Sequence, residues 1–275
     1  MKVGTWLCVN AQVVTHFNMA LVTNPDIIHF DLEDGVRNEH KQATRIALTE
    51  ILNRDIHKTF ALRINSLDTI EGLKDLLWLV DNKIVPPIVI LPKANIPDDI
   101  KKANKILRPI RPDVQFYVVV ETPNTLISLT NLQQKPEGLH GVIFGSADFA
   151  AELKVELETT DMTIYKSQLI LAARRLGLIC IDAPCFNICE ESLESELVTL
   201  KNFGFDGKIA IHPSQVNPIN TALSPTESQV ACATKLIESI NKNKQQAVVR
   251  VGYQMRGPPF LKQAQLIISK TQENK

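Results

Sequence analysis

Short apolar runs alternate with amphipathic stretches along most of the chain. The runs are rich in Val, Ile, Leu and Phe and end in polar residues. This pattern is typical of strands that are buried on both faces of a parallel sheet. The sequence predicts eight strands, at 3–9, 27–33, 60–65, 88–92, 116–121, 141–145, 178–182 and 207–211.

Helical patterns occupy the intervals between these strands. Examples span 71–80, 98–107, 163–177 and 191–204, and the last two end in glycine, which marks a helix C terminus. Eight alternating strands and helices with right-handed crossovers predict an α/β fold, namely a (β/α)8 TIM barrel. The alternative is a doubly wound open sheet, which is disfavoured because no G-x-G-x-x-G turn follows the first strand.

The pattern changes after the eighth predicted strand. The segment 212–226 is rich in proline and is not expected to form one helix. A helix is predicted over 226–242, with Thr226 or Ser224 as its N-cap. The chain beyond this helix therefore does not continue the barrel pattern.

The remaining residues predict a helical and extended C-terminal extension. An extended, Gly- and Pro-punctuated segment is predicted at 247–259, and a last helix at 260–270. We expect a TIM-barrel catalytic domain over 1–225 and an extension over 226–275. The extension is predicted to pack on the barrel or on a neighbouring subunit.

Polar side chains fall at the C-terminal ends of the predicted strands. In a barrel these ends share one rim, where active sites are built. Because random scatter would not place so many polar residues at one end, this polarity indicates an enzyme. The rim residues are Asp31, Glu33, Asp34, Arg63, Asn65, Lys93, Glu121, Asp148, Asp182 and His212.

Two of the rim acids, Glu121 and Asp148, follow successive strands. A carboxylate at the end of a buried strand is costly unless a cation meets it. Mg²⁺ commonly takes one or two protein carboxylates and leaves its other positions to water and substrate. We therefore interpret the pair as a Mg²⁺ site; the structural alternative is a salt bridge to Arg63 or Lys93.

The composition narrows the classes of partner. The 30 basic and 30 acidic residues give a formal net charge of zero, which argues against nucleic acid or a membrane recognised by bulk charge. No stretch reaches the length of a membrane span, and the N terminus has no signal-peptide pattern. Five cysteines without such a signal indicate reduced thiols and a cytoplasmic location. Cys180, Cys185 and Cys189 do not match paired zinc-ligand spacing, so buried or loop thiols are expected.

Six motifs in order resemble the citrate lyase beta-subunit family of Mg²⁺-dependent carbon–carbon lyases. The resemblance implies a barrel that assembles as a trimer or hexamer. It also implies cleavage of a 3-hydroxy-acyl thioester, such as malyl-, citramalyl- or citryl-CoA, to an acetyl thioester and a 2-oxo acid. The motifs are 31-DLEDGVRNEHKQATR-45, 62-LRINSLDT-69, 90-ILPKA-94, 119-VVETP-123, 144-FGSADFAAEL-153 and 203-FGFDGKIAIHPSQVNPIN-220.

The resemblance also implies roles for the central rim residues. Glu121 and Asp148 match the magnesium ligands, and Arg63 matches the substrate-binding arginine. In this chemistry Mg²⁺ acts as a Lewis acid on the substrate oxygen. Arg63 would stabilise the enolate or clamp a carboxylate in bidentate fashion.

Four further residues match family positions. Glu33 and Asp34 match acids near the water shell of the metal, and they are candidates for proton transfer; the alternative is that they cap the next helix. Lys93 and His212 match positions expected to bind substrate. Their structural alternatives are a solvated lysine and a histidine that hydrogen-bonds the loop backbone.

The sequence departs from the family at both ends. Gly4 and Asn10 stand where the family has Arg and Pro, in a stretch closer to the G-x-W opening of class II 2-oxo-acid aldolases. Gly257, beside Arg256, stands where the family has a catalytic Asp. Proton transfer then falls to Glu33, to Asp34 or to a water on the metal.

These departures leave alternative functions open. One alternative is a thioester hydrolase on the same scaffold, and another is an aldolase of free 2-oxo acids. A third, of a different class, is a catalytically silent barrel that binds Mg²⁺ and a 2-oxo acid. A Gly257→Asp variant would discriminate the silent barrel, because activity would then arise only in the variant.

Overall fold

The computed structural model describes residues 3–10, 14–242, 248–251 and 254–273. It divides into two compact units, Val3–Ile219 and Asn220–Lys275. The first unit contains a closed barrel of eight parallel strands in sequence order, which confirms the predicted TIM barrel and excludes the open sheet. The strands are β1 Thr5–Val9, β2 Ile27–Asp31, β3 Thr59–Arg63, β4 Ile88–Leu91, β5 Gln115–Val120, β6 Leu139–Phe144, β7 Ile179–Asp182 and β8 Gly207–Ala210.

Helices follow each strand around the barrel. Gly177 and Gly204, which end two of the predicted helices, adopt left-handed conformations with φ of 64° and 78°, as glycine at a helix C terminus does. The helices are α1 Val14–Thr23, α2 Lys41–Leu52, α3 Ile70–Asn82, α4 Asp98–Leu107, α5 Pro123–Asn131, α6 Ser146–Leu153, α7 Thr163–Leu176, α8 Glu190–Phe203 and α9 Val216–Leu223, with 3₁₀ turns at Asn38–His40 and Pro213–Gln215.

The alternation of side chains along each strand carries polar residues to the mouth of the barrel. Residues two apart on a strand face the same side. On β3 the inward row runs from Ala61 to Arg63, and on β5 it runs through Tyr117 and Val119 to Glu121. The barrel interior below them is packed by Trp6, Ile27, Ala61, Ile88, Ile90, Tyr117, Val119, Ile143, Ile181 and Ile209.

The predicted second strand, 27–33, ends two residues earlier than expected. Asp31 closes β2 because its Oδ1 accepts a hydrogen bond of 2.9 Å from the Glu33 amide. An Asp side chain that binds the backbone two residues later favours a turn over continued extension. Glu33 therefore sits on a turn above the barrel mouth.

The Pro-rich segment 212–226 is more helical than its composition suggests. It contains the turn Pro213–Gln215 and then α9. Pro218 is tolerated because it is the third residue of α9, where a backbone N–H has no partner within the helix. The boundary between the two units falls inside α9, earlier than the predicted domain end at residue 225.

The second unit contains α10 Glu227–Lys242, β9 Val249–Val251, β10 Gln254–Arg256 and α11 Pro258–Glu273. Thr226 is the N-cap of α10, as predicted: its Oγ1 accepts from the Gln229 amide at 3.2 Å, and Gln229 Oε1 accepts from the Thr226 amide at 2.9 Å. Within the predicted extended segment 247–259, β9 and β10 form an antiparallel pair, and residues 247, 252 and 253 lie outside the described residues. Helix α10 packs on α11 through Leu236 and Ala264. How this unit packs on a barrel stays a prediction.

A helix that spans a membrane has to be both long and apolar. Among the residues that the structure describes, no helix combines the length and the apolar character needed to span a bilayer.

Candidate active site

The ends of β2, β3, β4 and β5 bring four of the predicted site residues into one connected cluster. Arg63 Nη1 lies 2.9 Å from Glu33 Oε2, and Lys93 Nζ lies 3.0 Å from Glu33 Oε1. The backbone N–H of Lys93 donates a 2.6 Å hydrogen bond to Glu121 Oε1. Glu33 is therefore the centre of this cluster, and Glu121 is joined to it through the Lys93 backbone.

Asp31 fixes the orientation of Arg63. Arg63 donates to Asp31 through Nε at 2.7 Å and through Nη2 at 2.5 Å. Asp31 also accepts from the amides of Glu33 and Gly35, each at 2.9 Å. Although burial acts to raise it, the charge and hydrogen bonds of Arg63 hold the pKa of the Asp31 carboxyl below its usual value. The guanidinium is thereby clamped in one geometry at the mouth.

The carboxylate of Glu121 is buried beside other acids. Glu121 is 1 % exposed. Burial, followed by the negative charges of Glu33 and Asp148, raises the pKa of Glu121 to about 8, and the Lys93 amide opposes this rise. A divalent cation would remove this unfavourable balance, because it screens the carboxylates from one another.

The donor set at this position fits Mg²⁺. In the described part of the chain, no group of three or more His, Cys, Asp or Glu side chains is arranged to hold a metal. A pair of carboxylates, Glu121 and Asp148, is nevertheless what Mg²⁺ accepts, since it keeps water and substrate oxygens in its remaining positions. The same result gives no support to a zinc site at Cys180, Cys185 and Cys189.

Asp148 reaches the site from the start of α6. It lies in the first turn of this helix and is half-buried. Gly145 precedes the helix, and a Cβ there would lie 2.5 Å from Glu121 Cβ. The absence of a side chain at position 145 therefore lets the α6 turn approach Glu121.

The structural alternative to a metal site was a salt bridge from Glu121 to Arg63 or Lys93, and the side-chain charges of both residues pair with other acids instead. The Arg63 guanidinium pairs with Asp31 and Glu33, and the Lys93 ammonium pairs with Glu33. The capping alternative for Glu33 and Asp34 is wrong, because the next helical turn starts at Asn38 with Arg37 as its N-cap. Asp34 is exposed at the rim, and its charge raises the pKa of Glu33, after burial has done so more strongly.

The backbone of Lys93 adopts a left-handed conformation with φ of 48°, which is uncommon for a residue with a Cβ. This conformation directs the Lys93 amide at Glu121. We expect Lys93→Gly to be more stable than Lys93→Ala by about 1 kcal/mol, because glycine adopts positive φ without the steric cost that alanine has.

Urea unfolding of the two Lys93 variants side by side measures this difference. Both variants lose the ammonium and its pair with Glu33, so the comparison isolates the backbone. Equal stability of the two variants would contradict the assigned conformation.

His212 lies at the end of β8, where it caps the next turn. Its Nδ1 accepts from the Ser214 amide at 3.3 Å and lies 2.8 Å from Ser214 Oγ. These contacts match the structural alternative, in which the histidine hydrogen-bonds the loop backbone. The His212 ring is exposed. Its role in substrate binding stays a prediction.

Asp182, the rim acid of β7, belongs to a separate buried ion cluster. Its two oxygens lie 3.0 Å from Lys208 Nζ and 2.9 Å from Lys166 Nζ. Lys208 also donates to Glu196 Oε2 at 2.6 Å. A cleft of about 660 Å³ opens beside this cluster, and its lining includes Lys166 and Ser146, the first residue of α6.

The two glycines at which the sequence departs from the family are both buried, and the carbonyl of each accepts a backbone hydrogen bond. Gly4 is buried, and its carbonyl accepts from the Lys208 amide at 2.8 Å, at the end of the barrel where β1 and β8 begin. Gly257 is buried ahead of α11, where its carbonyl accepts from the Phe260 amide at 3.0 Å. Arg256 lies over the Phe260 ring at 5.2 Å.

Comparisons with known proteins agree with this fold and these motifs. The chain is 26 % identical over 272 residues to citrate lyase subunit beta of Haemophilus influenzae, covering 92 % of this chain and 93 % of that protein. It is 29 % identical over 223 residues to a (3S)-malyl-CoA thioesterase of Cereibacter sphaeroides, covering 79 % of this chain and 75 % of that protein.

Solved structures show the same architecture. The CitE protein of Mycobacterium tuberculosis, in complex with magnesium, acetoacetate and coenzyme A, superposes with a TM-score of 0.81 over 98 % of both chains at 24 % identity. A citrate lyase beta subunit from M. tuberculosis, complexed with oxaloacetate and magnesium, matches with a TM-score of 0.67 at 26 % identity, over 80 % of this chain and 96 % of that chain.

The model of the HpcH/HpaI aldolase/citrate lyase family matches residues 2–213, which include the whole barrel and every rim residue described above. This match confirms the resemblance that the six sequence motifs carry. The chain therefore belongs to the HpcH/HpaI aldolase/citrate lyase family.

Proposed function

We propose that the protein is a Mg²⁺-dependent carbon–carbon lyase that cleaves, or in reverse forms, a 3-hydroxy-acyl thioester. Malyl-, citramalyl- and citryl-CoA are the substrate class, and an acetyl thioester and a 2-oxo acid are the products. The observation that carries the proposal is the buried Glu121 carboxylate, which is held by the Lys93 amide near Glu33 and Asp148. A carboxylate in this environment is suited to a divalent cation.

Two relatives support the metal and the substrate class. One is named a citrate lyase subunit, and the M. tuberculosis citrate lyase beta subunit was solved with oxaloacetate and magnesium. A 2-oxo acid offers a carboxylate and an oxo oxygen, which can complete the coordination that two protein acids leave open.

Different residues of the chain would carry different parts of the reaction. Mg²⁺, when held by Glu121 and Asp148, supplies a Lewis acid for the oxygens of the 2-oxo acid. Asp31 holds the Arg63 guanidinium by two of its five N–H groups, and Arg63 Nη1 lies 2.9 Å from Glu33 Oε2 as an ion pair. The remaining N–H groups can stabilise the enolate that forms as the C–C bond breaks, or clamp a carboxylate.

Proton transfer needs a base for the substrate hydroxyl and an acid for the enolate carbon. Glu33 lies in the centre of the cluster, where Lys93 and Arg63 partly offset its negative charge. Asp34 is exposed next to it. These two carboxylates are this chain's candidates for the proton steps, since Gly257 has no group to offer.

A thioester hydrolase is the second candidate. It is favoured by the 29 % identity to a (3S)-malyl-CoA thioesterase and by the glycine at position 257. In that reaction water attacks the thioester carbonyl, and free acid and thiol leave. An aldolase of free 2-oxo acids and a silent barrel remain as further outcomes of the same test.

A product assay tests the proposal. Purified protein is incubated with malyl-CoA and citramalyl-CoA, with and without Mg²⁺, beside Glu121→Ala. Acetyl-CoA with glyoxylate or pyruvate, lost without metal and in the variant, supports the lyase. Free coenzyme A with an intact hydroxy-diacid supports hydrolysis. Turnover of neither substrate, nor of citryl-CoA assayed in the same way, would overturn both and favour free acids or a silent barrel.

We also propose that the protein acts in the cytoplasm as a homotrimer or hexamer, with the second unit packed on its own barrel or on a neighbouring subunit. All five cysteines are free thiols in the structure, which supports the location. Sedimentation of the purified protein measures the assembly, and a monomer at micromolar concentration would contradict it.

A further inference from the structure

The parallel pairing of β2 and β3 ends at Asn65, where a side chain replaces the backbone as the donor. The register of the two strands runs to the pair Asp31 and Arg63, and the Leu32 amide still donates to the Arg63 carbonyl at 2.9 Å. The next bond of a parallel ladder would run from the Asn65 N–H to the Leu32 carbonyl. The Asn65 N–H instead donates to Asp75 Oδ2 at 2.7 Å, and Asn65 Nδ2 donates to the Leu32 carbonyl at 2.9 Å. The Asn65 side chain therefore stands between the two backbones.

The Asn65 amide is held in one orientation by its buried neighbours. Asn65 is 4 % exposed. Its Nδ2 donates to Asp75 Oδ2 at 2.7 Å as well as to the Leu32 carbonyl, and its Oδ1 accepts from Lys41 Nζ. With two acceptors facing Nδ2 and an ammonium facing Oδ1, a flipped amide would lose all three bonds.

The peptide groups on both sides of Leu32 are tied to the strand that carries Arg63. The Leu32 N–H donates to the Arg63 carbonyl, and the Leu32 carbonyl accepts from the Asn65 side chain. Leu32 lies between Asp31 and Glu33, the two acids that bind the Arg63 guanidinium. The length of the Asn65 side chain thus sets how far the turn 31–35, which carries Glu33, lies from β3.

Lys41, on the far side of Asn65, indicates that this network is not arranged for stability alone. Lys41 is 6 % exposed, and its ammonium donates to the neutral Asn65 Oδ1. Among the residues that the structure describes, it forms no ion pair with an acid. A buried charge without a charged partner is unfavourable, so an apolar side chain at position 41 would serve the fold at least as well.

We propose that Asn65 is a positioning residue for the reaction. By replacing one bond of the ladder with its side chain, it holds the turn 31–35 at the distance from β3 at which Glu33 meets the Arg63 guanidinium. Asn65 acts through these two residues and not through contact with the substrate. This inference rests on the proposed function, in which Arg63 and Glu33 act on a substrate at the barrel mouth.

Two variants isolate the Asn65 amide. Lys41→Met removes the buried ammonium and keeps the bond from Asn65 to Leu32. Lys41→Met with Asn65→Leu differs from it only at position 65, where leucine has the branched shape of asparagine without its hydrogen-bonding groups. Because both partners of the Lys41–Asn65 bond are replaced by apolar groups of similar shape, we expect this double variant to fold. Asn65→Ser, whose hydroxyl is too short to replace the amide, repeats the test if the double variant does not fold.

Steady-state kinetics on the thioester measures the positioning. We expect kcat per folded molecule to be about 10- to 100-fold lower in the double variant than in Lys41→Met, because a small misplacement of Arg63 and Glu33 impairs the chemical step. We expect KM to stay within about 3-fold, since neither Arg63 nor Glu33 is removed. Lys41→Met itself should keep kcat within about 3-fold of the wild type, because the Asn65 bond to Leu32 remains.

The Arg63→Lys background distinguishes positioning from a structural role. In that background we expect Asn65→Leu to cost about 3-fold or less in kcat, because the guanidinium that Asn65 positions is already gone. A residue with only a structural role would lower activity by the same factor in both backgrounds. That result, or an unchanged kcat in the double variant, would overturn the inference.

Hydrogen exchange gives a measurement that does not depend on turnover. The amides of Glu33 and Gly35 donate to Asp31 within the turn that Asn65 holds. We expect these amides to exchange about 10-fold faster or more in the double variant than in Lys41→Met, while the amides of β5 and β6 keep their rates. Unchanged exchange in the turn would overturn the inference.

The outcomes separate this inference from the proposed function. If the wild type turns over the thioester but the Asn65 change alters neither kcat nor exchange in the turn, only the role of Asn65 is overturned. If the wild type turns over no thioester, the proposed function is overturned. The exchange rates of Glu33 and Gly35 then decide on their own whether Asn65 holds the turn.

Discussion

Glu121→Gln is expected to lower kcat/KM for the thioester substrate by about 10³-fold or more, and to stabilise the metal-free protein. The loss of activity follows because an amide is a weaker ligand than a carboxylate and cannot balance the charge of a divalent ion. The gain in stability follows because Glu121 is 1 % exposed and lies near Glu33 and Asp148. The amide removes this buried like-charge repulsion.

The pKa of Glu121 determines how the stability of the metal-free protein changes with pH. The folded-state pKa of about 8 lies above the usual glutamate value of 4.5, so the folded protein binds more protons than the unfolded chain between these values. The contribution of Glu121 to stability is therefore fully present below pH 4.5 and is lost as the pH rises through 8. At pH 8 we expect Glu121→Gln to be more stable than the metal-free wild type by on the order of 2 kcal/mol.

Thermal unfolding of both proteins across pH 5–8, with and without Mg²⁺, measures this effect. Mg²⁺ should stabilise the wild type and should have little effect on the variant. Asp75→Asn is the matched control: Asp75 is a buried carboxylate that Arg45 and Asn65 hold, so its loss should destabilise the protein with or without metal. If Glu121→Gln lost stability both with and without metal, Glu121 would be a carboxylate that stabilises the fold, as Asp75 does, and not a metal ligand.

The sequence predicted the barrel and the location of the rim for a definite physical reason. Strand periodicity places every second residue inside the barrel, so an apolar row that ends in Arg63 or Glu121 must deliver that side chain to the mouth. This requires only local pattern and the closure of the sheet. The match of residues 2–213 to the family then confirmed the resemblance that the motifs carried.

The hydrogen bonds and ion pairs between the rim residues were not predictable in the same way. The sequence placed Asp31 at a strand end, but its four accepted hydrogen bonds depend on the pairing of β2 with β3 and on a turn that one-dimensional pattern does not show. The Lys93 amide reaches Glu121 only because the Lys93 backbone is left-handed, and lysine carries no sequence signal for that conformation.

Arg63→Lys is expected to lower kcat/KM by about 10²–10³-fold, the range found when a preorganised donor to a developing oxyanion is removed. Lysine keeps the positive charge but not the planar fork. It cannot donate to both Asp31 oxygens in parallel and also meet Glu33, as Arg63 does through Nε, Nη2 and Nη1. The charge near the substrate survives, so the loss should lie mainly in kcat.

Arg45→Lys is the control that separates catalysis from folding. Arg45 is a second buried guanidinium with a similar set of contacts, which lies between α2 and α3. Its Nε donates to Asp75 at 2.7 Å, and its Nη2 pairs with Glu71 at 2.5 Å. Both variants should lose stability, because each leaves a buried carboxylate with fewer donors. Only Arg63→Lys should lose activity per folded molecule, and an equal loss in Arg45→Lys would mean that the Arg63 fork supports the barrel rather than the reaction.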